Sequence, residues 1–230
     1  MCGRYSQSAP AEKIRQRFRL ADPSPTLKAR YNIAPGQDAP VITHRTKREL
    51  RMMSWGLIPS WSKTQVSGRM INARVETLLD RPSFSGALIT RRCLVPADGF
   101  YEWRSDKKSG PKVPVRFERH DKELFAFAGL WDVWRRPDGS ELETYTIITT
   151  ESDGIARTVH RRMPVILTPS AEDRWLDPVL RDGEALSGVL SCGSSVGLRH
   201  YRVSNMINSP QNDSPDCVAE VEDETRDLFT

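Results

Sequence analysis

Between residues 113 and 150 the chain offers three strand-like runs with only turns between them, and nothing else in it limits the fold as strongly. Residues 113–118, 123–134 and 143–150 follow one another, the last β-branched and aromatic in the way a pleated surface prefers. Upstream, residues 39–44 and 49–57 read as a hairpin around 45–48, and 93–96 and 99–103 as strands joined at Ala97-Asp98-Gly99. Further strands are expected at 165–167 and 201–204. Helices are short: residues 8–20, with Ser8 near the N-cap, Pro10 in the first turn and Ile14 and Phe18 on one face, then 81–90, 169–176 and 183–190. Residues 21–40 read as irregular, with Pro35-Gly36 imposing a turn. In the run 70–77, Asn72, Arg74 and Glu76 alternate and would share one face of a strand. A length of 230 residues suits one core, so a single domain over 1–230 is expected, with the acidic tail from Asp213 loosely held. No run has the apolar length of a membrane helix, and Arg4 and Lys13 lie among polar N-terminal residues, so a cytoplasmic protein is expected, nucleoid-associated in a bacterium or nuclear in a eukaryote.

The chemistry starts at Cys2, directly behind Met1. Trimming Met1 would give Cys2 an α-amine and a thiol on neighbouring carbons, a pair that no internal cysteine has. The amine captures an aldehyde as an imine, and the thiol then closes a five-membered thiazolidine. With reference pKa values near ~8 and ~8.5, the two groups need little activation and much positioning. The plainer reading is an incidental second-position cysteine. The four cysteines, at 2, 93, 192 and 217, have no metal-ligand spacing, and neither a metal nor another cofactor is expected.

Charge is divided unevenly. Residues 1–120 hold 23 Lys and Arg against 10 Asp and Glu, whereas residues 121–230 hold 11 against 20. A basic half carrying Cys2 suits a polyanion, although the charges could also form a mixed surface. Trp55 and Trp61 bracket the Gly56 and Pro59 breaks, where an indole could stack on a nucleic-acid base or fill the core. Glu102 sits between Tyr101 and Trp103 and reads either as an acid or base of raised pKa or as a surface glutamate. His160, beside Arg161 and Arg162, reads as a neutral proton acceptor or as a solvated loop histidine.

Assembled in order, these stretches resemble the SRAP family, the SOS-response-associated peptidases or abasic-site processing proteins. The likeness rests on Met1-Cys2-Gly3-Arg4, Tyr31-Asn32-Ile33-Ala34-Pro35-Gly36, Trp55-Gly56 through Trp61, Ile71-Asn72-Ala73-Arg74-Val75-Glu76-Thr77, Ala97-Asp98-Gly99 through Glu102-Trp103, and His160 through Pro164. It implies an α+β domain with a curved, barrel-like antiparallel β-core flanked by short helices. It also implies a monomer that binds single-stranded DNA containing abasic sites and links Cys2 to the ring-opened sugar. Cys2, Asn72, Glu102 and His160 match the family's active-site positions. Arg4, Asn32, Pro35, Trp55, Trp61, Arg74 and Arg162 are the implied DNA-binding positions. The resemblance also implies an enzyme with lyase-type Schiff-base chemistry and a peptidase activity, and whether the latter is more than removal of Met1 or self-release stays open. Two other classes remain open: an N-terminal-nucleophile hydrolase of glutamine-amidotransferase type, and a non-catalytic single-strand binder.

Overall fold

The computed structural model describes residues 2–20, 27–44, 46–64, 70–105, 110–191 and 197–221. In chain order the regular elements are β1 (Tyr5–Gln7), α1 (Ala11–Phe18), β2 (Arg30–Ile33), β3 (Asp38–His44), β4 (Arg48–Trp55), β5 (Asn72–Arg74), α2 (Pro82–Thr90), β6 (Arg92–Ala97), β7 (Gly99–Arg104), β8 (Val113–Arg119), β9 (Phe125–Arg135), β10 (Glu141–Glu151), β11 (Arg162–Pro164), β12 (Ile166–Leu167), α3 (Pro169–Leu176), α4 (Gly183–Ser191) and β13 (Leu198–Arg202).

Five of these strands close on themselves. Neighbours β10, β4, β3, β6 and β9 form a continuous path, and β9 pairs back onto β10 from Arg135↔Glu141 to Gly129↔Ile147. The barrel-like α+β core expected from the resemblance is therefore present, but one seam is parallel: β10 meets β4 at Thr144↔Ser54 and Tyr145↔Trp55. The long run in β9 explains the closure. Phe125, Phe127 and Trp131 turn into the barrel, and Ala126, Ala128 and Leu130 turn outward under the helices, so both faces of the strand are buried. Gly129 is needed where β6, β9 and β10 crowd together, since a Cβ there would lie 2.9 Å from both Cys93 Sγ and Thr146 O. Ile14, Phe18, Leu88, Trp175 and Val189 from the four helices cover the outer face of the barrel. A second sheet, ordered β13-β8-β7-β1-β2, shares its core residues Tyr5, Phe100 and Phe117 with the barrel interior.

Several expectations need correction. The first helix starts at Ala11, after an N-cap at Pro10, because the backbone N–H and hydroxyl of Ser8 are spent on Asp98 Oδ2 at 2.6 and 2.7 Å. The stretch 21–40 contains β2 and the start of β3, although residues 21–26 lie outside the described residues. Glu76 does not share a strand face with Asn72 and Arg74, because the chain tightens into a 3₁₀ turn at Val75–Thr77. The last strand is Leu198–Arg202, placed by its pairing with β8. The tail beginning at Asp213 is integrated as far as residue 221: Asp213 binds the start of β2, and Val203 bridges Glu220. Residues 222–230 lie outside the described residues.

Candidate functional site

Cys2 enters just ahead of β1 and is fully buried in the cluster that contains Tyr5, Ile33 and Trp55. Its carbonyl accepts a hydrogen bond from Asn72 Nδ2 at 2.8 Å, and its thiol lies 3.9 Å from the Arg4 carbonyl. Asn72 can reach it because it opens β5, which β10 holds in parallel register at Ile147. The other end of that amide, Oδ1, is buried and has no hydrogen-bond partner among the described residues. Burial, and then the Glu102 carboxylate, push the Cys2 thiol far above its ordinary value, so the sulfur is held protonated.

Glu102 comes from β7, which pairs with β1 at Tyr5↔Phe100 and is tied to the N-terminal strand by Tyr101 N–H donating to Arg4 O at 3.0 Å. With 5% exposure, its carboxyl is pushed up by burial, against the opposing pull of His160. Glu102 Oε1 and His160 Nδ1 are 3.9 Å apart. His160 follows the 3₁₀ turn Gly154–Thr158, and the Arg162 backbone N–H donates to its Nδ1 at 3.0 Å. The same Nδ1 lies 2.9 Å from the Arg162 carbonyl oxygen, so the tautomer of a neutral ring follows from which of the two contacts it makes. Arg162 fixes the turn by donating to both Glu76 oxygens, at 2.6 and 3.1 Å, and to Thr149 O at 2.6 Å. Residues separated by up to 158 positions thus come together: Asn72 holds Cys2, and Glu102 acts on its thiol while facing His160.

The residues expected along a DNA groove divide into two groups. Trp61 is 64% exposed, on a loop anchored by Ser60 N–H to Asp132 Oδ2 and by Trp134 Nε1 to Ser62 O. Arg74 is exposed, and Pro35 is half-buried in a turn closed by Gln37 N–H to Ala34 O, with Gly36 at φ 83° as that turn requires. Trp55, in contrast, cannot stack on a base in this structure. It is fully buried, donates Nε1 to Ile71 O at 2.9 Å and lies 5.2 Å from the Tyr5 ring, because the alternation of β4 turns Met53 and Trp55 inward and Met52 outward. Asn32 is also fully buried, and its amide is used on the carbonyls of Asn212, Ser209 and Ile207. Arg4 turns inward too, donating to Asn32 Oδ1 at 2.7 Å and Ile207 O at 2.6 Å. The fork of Arg162 is held by Glu76, so its observed partner is a carboxylate.

Three contributors escaped the sequence reading. Tyr145 packs with Cys2 in the same core cluster and makes a 2.8 Å hydroxyl contact with Tyr5, Asp132 anchors the Trp61 loop, and Asp213 anchors β2. Their positions in β10, β9 and the tail give no local signal, since each acts on a residue more than 70 positions away.

The family model SOS response associated peptidase (SRAP) matches residues 1–210. The abasic site processing protein YoqW of Bacillus subtilis (strain 168) is 40% identical over 223 residues, covering 95% of this chain and 99% of that protein. The abasic site processing protein HMCES of Gallus gallus is 31% identical, covering 96% of this chain and 78% of that protein. An X-ray crystal structure of a protein from Bacteroides thetaiotaomicron has a TM-score of 0.84 at 28% identity, covering 96% of this chain and 100% of that one. With the model spanning most of its length and relatives matched nearly end to end, the chain belongs to the SOS response associated peptidase (SRAP) family.

Proposed function

We propose that this protein processes abasic sites in single-stranded DNA, forming a thiazolidine crosslink through Cys2 once Met1 is removed. The observation that carries the reading is the convergence of Cys2, Asn72, Glu102 and His160 in one cluster of side chains. The names of the relatives, abasic site processing proteins, point to the same lesion.

The α-amine of Cys2 attacks C1′ of the open-chain sugar to give a carbinolamine. Loss of its hydroxyl as water, with a proton from the Glu102 carboxyl, leaves an iminium. The raised pKa of Glu102 suits that donation, since a carboxyl that stays protonated nearer neutrality is a usable acid. The thiol is also held protonated, so ring closure forms the S–C bond as the thiol proton passes to the Glu102 carboxylate and the C=N electron pair returns to nitrogen. Water is the sole by-product. His160 moves the proton that opens the closed sugar, and Asn72 fixes Cys2 through its carbonyl. Trp61 and Arg74, both exposed, meet the strand by stacking and by phosphate contact that carries no sequence information.

Intact-mass spectrometry after mixing with an abasic oligonucleotide tests the reading. The expected product has the mass of Met1-less protein plus DNA minus one water, stable to heat, and absent with Cys2→Ser. An amidotransferase or a simple strand binder would leave no such adduct, and a stable adduct from Cys2→Ser without reductant would refute ring closure.

A further inference from the structure

The N-terminal strand is too short to hold its own end. β1 has three residues, and its pairing with β2 shifts register between Tyr5 and Gln7, so the ladder fixes little ahead of Tyr5. Chain ends fray unless something ties them down. Here part of the tie comes from the segment 204–213, whose last residues, Asn212 and Asp213, lie beyond residue 210 where the family model stops.

We propose that Asp213 is a positioning residue for Cys2, acting through Asn32 and Arg4. Asp213 Oδ1 accepts from the backbone N–H groups of Tyr31 at 2.5 Å and Asn32 at 3.0 Å, and Oδ2 accepts from Arg30 Nε. One carboxylate thereby sets the height of β2 against the segment from Ser204 to Asp213. Asn32 converts that height into a socket. Its Nδ2 donates to the carbonyls of Asn212 at 2.7 Å, Ser209 at 3.0 Å and Ile207 at 3.3 Å, while Oδ1 accepts Arg4 Nη1 at 2.7 Å. The same Arg4 nitrogen reaches Ile207 O at 2.6 Å, and the guanidinium lies 5.8 Å from the Trp103 ring. Trp103 is itself held by Nε1 donating to Asn208 Oδ1 at 2.7 Å. Arg4 is therefore clamped by side chain and backbone together, its carbonyl taking Tyr101 N–H at 3.0 Å. Only Gly3 separates it from Cys2, so the clamp fixes the α-carbon that must present both amine and thiol to one aldehyde carbon. Two nucleophiles on one residue have to meet a single atom in succession, and that makes the reaction sensitive to a small displacement of the chain end.

This inference rests on the crosslinking reading, and the test separates the two. Full-length Asp213→Ala and Asp213→Asn are compared with wild type in single-turnover crosslinking to an abasic oligonucleotide. In parallel, iodoacetamide alkylation of each cysteine is followed by peptide mass spectrometry. Asp213→Ala should lower the maximal crosslinking rate by about tenfold to a hundredfold and leave the half-saturating oligonucleotide concentration within about twofold. It should also speed Cys2 alkylation by about tenfold or more through local opening, with Cys93 in the barrel unchanged. Asp213→Asn should recover most of both, because its amide oxygen still accepts from Tyr31 and Asn32. Wild-type behaviour of Asp213→Ala in both assays overturns the inference. So does parallel loosening of Cys93, or a changed half-saturation at an unchanged maximal rate. If wild type forms no adduct, the crosslinking reading fails, and Cys2 alkylation still decides whether Asp213 positions the chain end.

Discussion

Replacing Glu102 by Gln keeps the side-chain volume, removes the titrating group, and should move catalysis and stability in opposite directions. The carboxyl is 5% exposed, and His160 Nδ1 lies 3.9 Å from it. At that distance a protonated imidazole would return about 4 kcal/mol at an effective dielectric of 20 and about 1 kcal/mol at the dielectric of water. His160 is one-third exposed, so solvent screening favours the lower figure, and a neutral ring returns none of it. Burial therefore wins, and the folded pKa of Glu102 is raised above its ordinary 4.5. A group raised on folding contributes stability below its unfolded pKa, and that contribution is lost as pH rises through the folded value. Glu102→Gln should accordingly match wild type in melting temperature near pH 4 and exceed it near pH 8, by about 2–4 °C for each kcal/mol recovered in a chain of this size. Loss of the proton relay should slow single-turnover crosslinking by about 10² to 10⁴, while binding to an unmodified strand stays at the wild-type level. A lower melting temperature at pH 8 would show that ionised Glu102 is net stabilised. A wild-type crosslinking rate would remove it from the proton transfers.

His160→Ala should slow crosslinking to a closed abasic sugar more than to a pre-opened aldehyde, and equal slowing on both would refute its part in ring opening. Trp61→Ala should weaken single-strand binding by about 1–3 kcal/mol with an unchanged melting temperature, as measured by fluorescence titration and calorimetry. Trp55→Ala should cost about 3–5 kcal/mol of folding stability instead, since a buried aromatic leaves a cavity; unchanged denaturant unfolding would contradict its place in the core. Cys2→Ser should still give an adduct trapped by borohydride, because the amine that forms the imine is retained, and failure of trapping would place the first attack elsewhere.

The sequence by itself marked the longer strands, because a β-branched or aromatic run with a period of two needs no distant partner to be recognised, whereas the short β1 and β2 carry no such run. Residues 123–134 read as a strand and became β9; residues 39–57 read as a hairpin and became β3 and β4. Cys2 carries its chemistry in its position, and the likeness of short motifs spread from residue 1 to 164 was enough to place the chain in its family. Only the tertiary structure decided which way the side chains serve. Trp55 and Trp61 look equivalent in the loop that they bracket, yet closure of β4 against β10 puts one indole under Tyr5 and leaves the other in solvent. Arg4 and Asn32 read as groove residues and are spent inward on the carbonyls of residues 207–212. The isolated pKa of a cysteine suggested a thiol that needs little help, whereas burial beside Glu102 keeps it protonated and gives the carboxylate a second task. Each of these depends on contacts between residues far apart in sequence, and burial and charge pairing are fixed only once the barrel closes and the tail crosses β2.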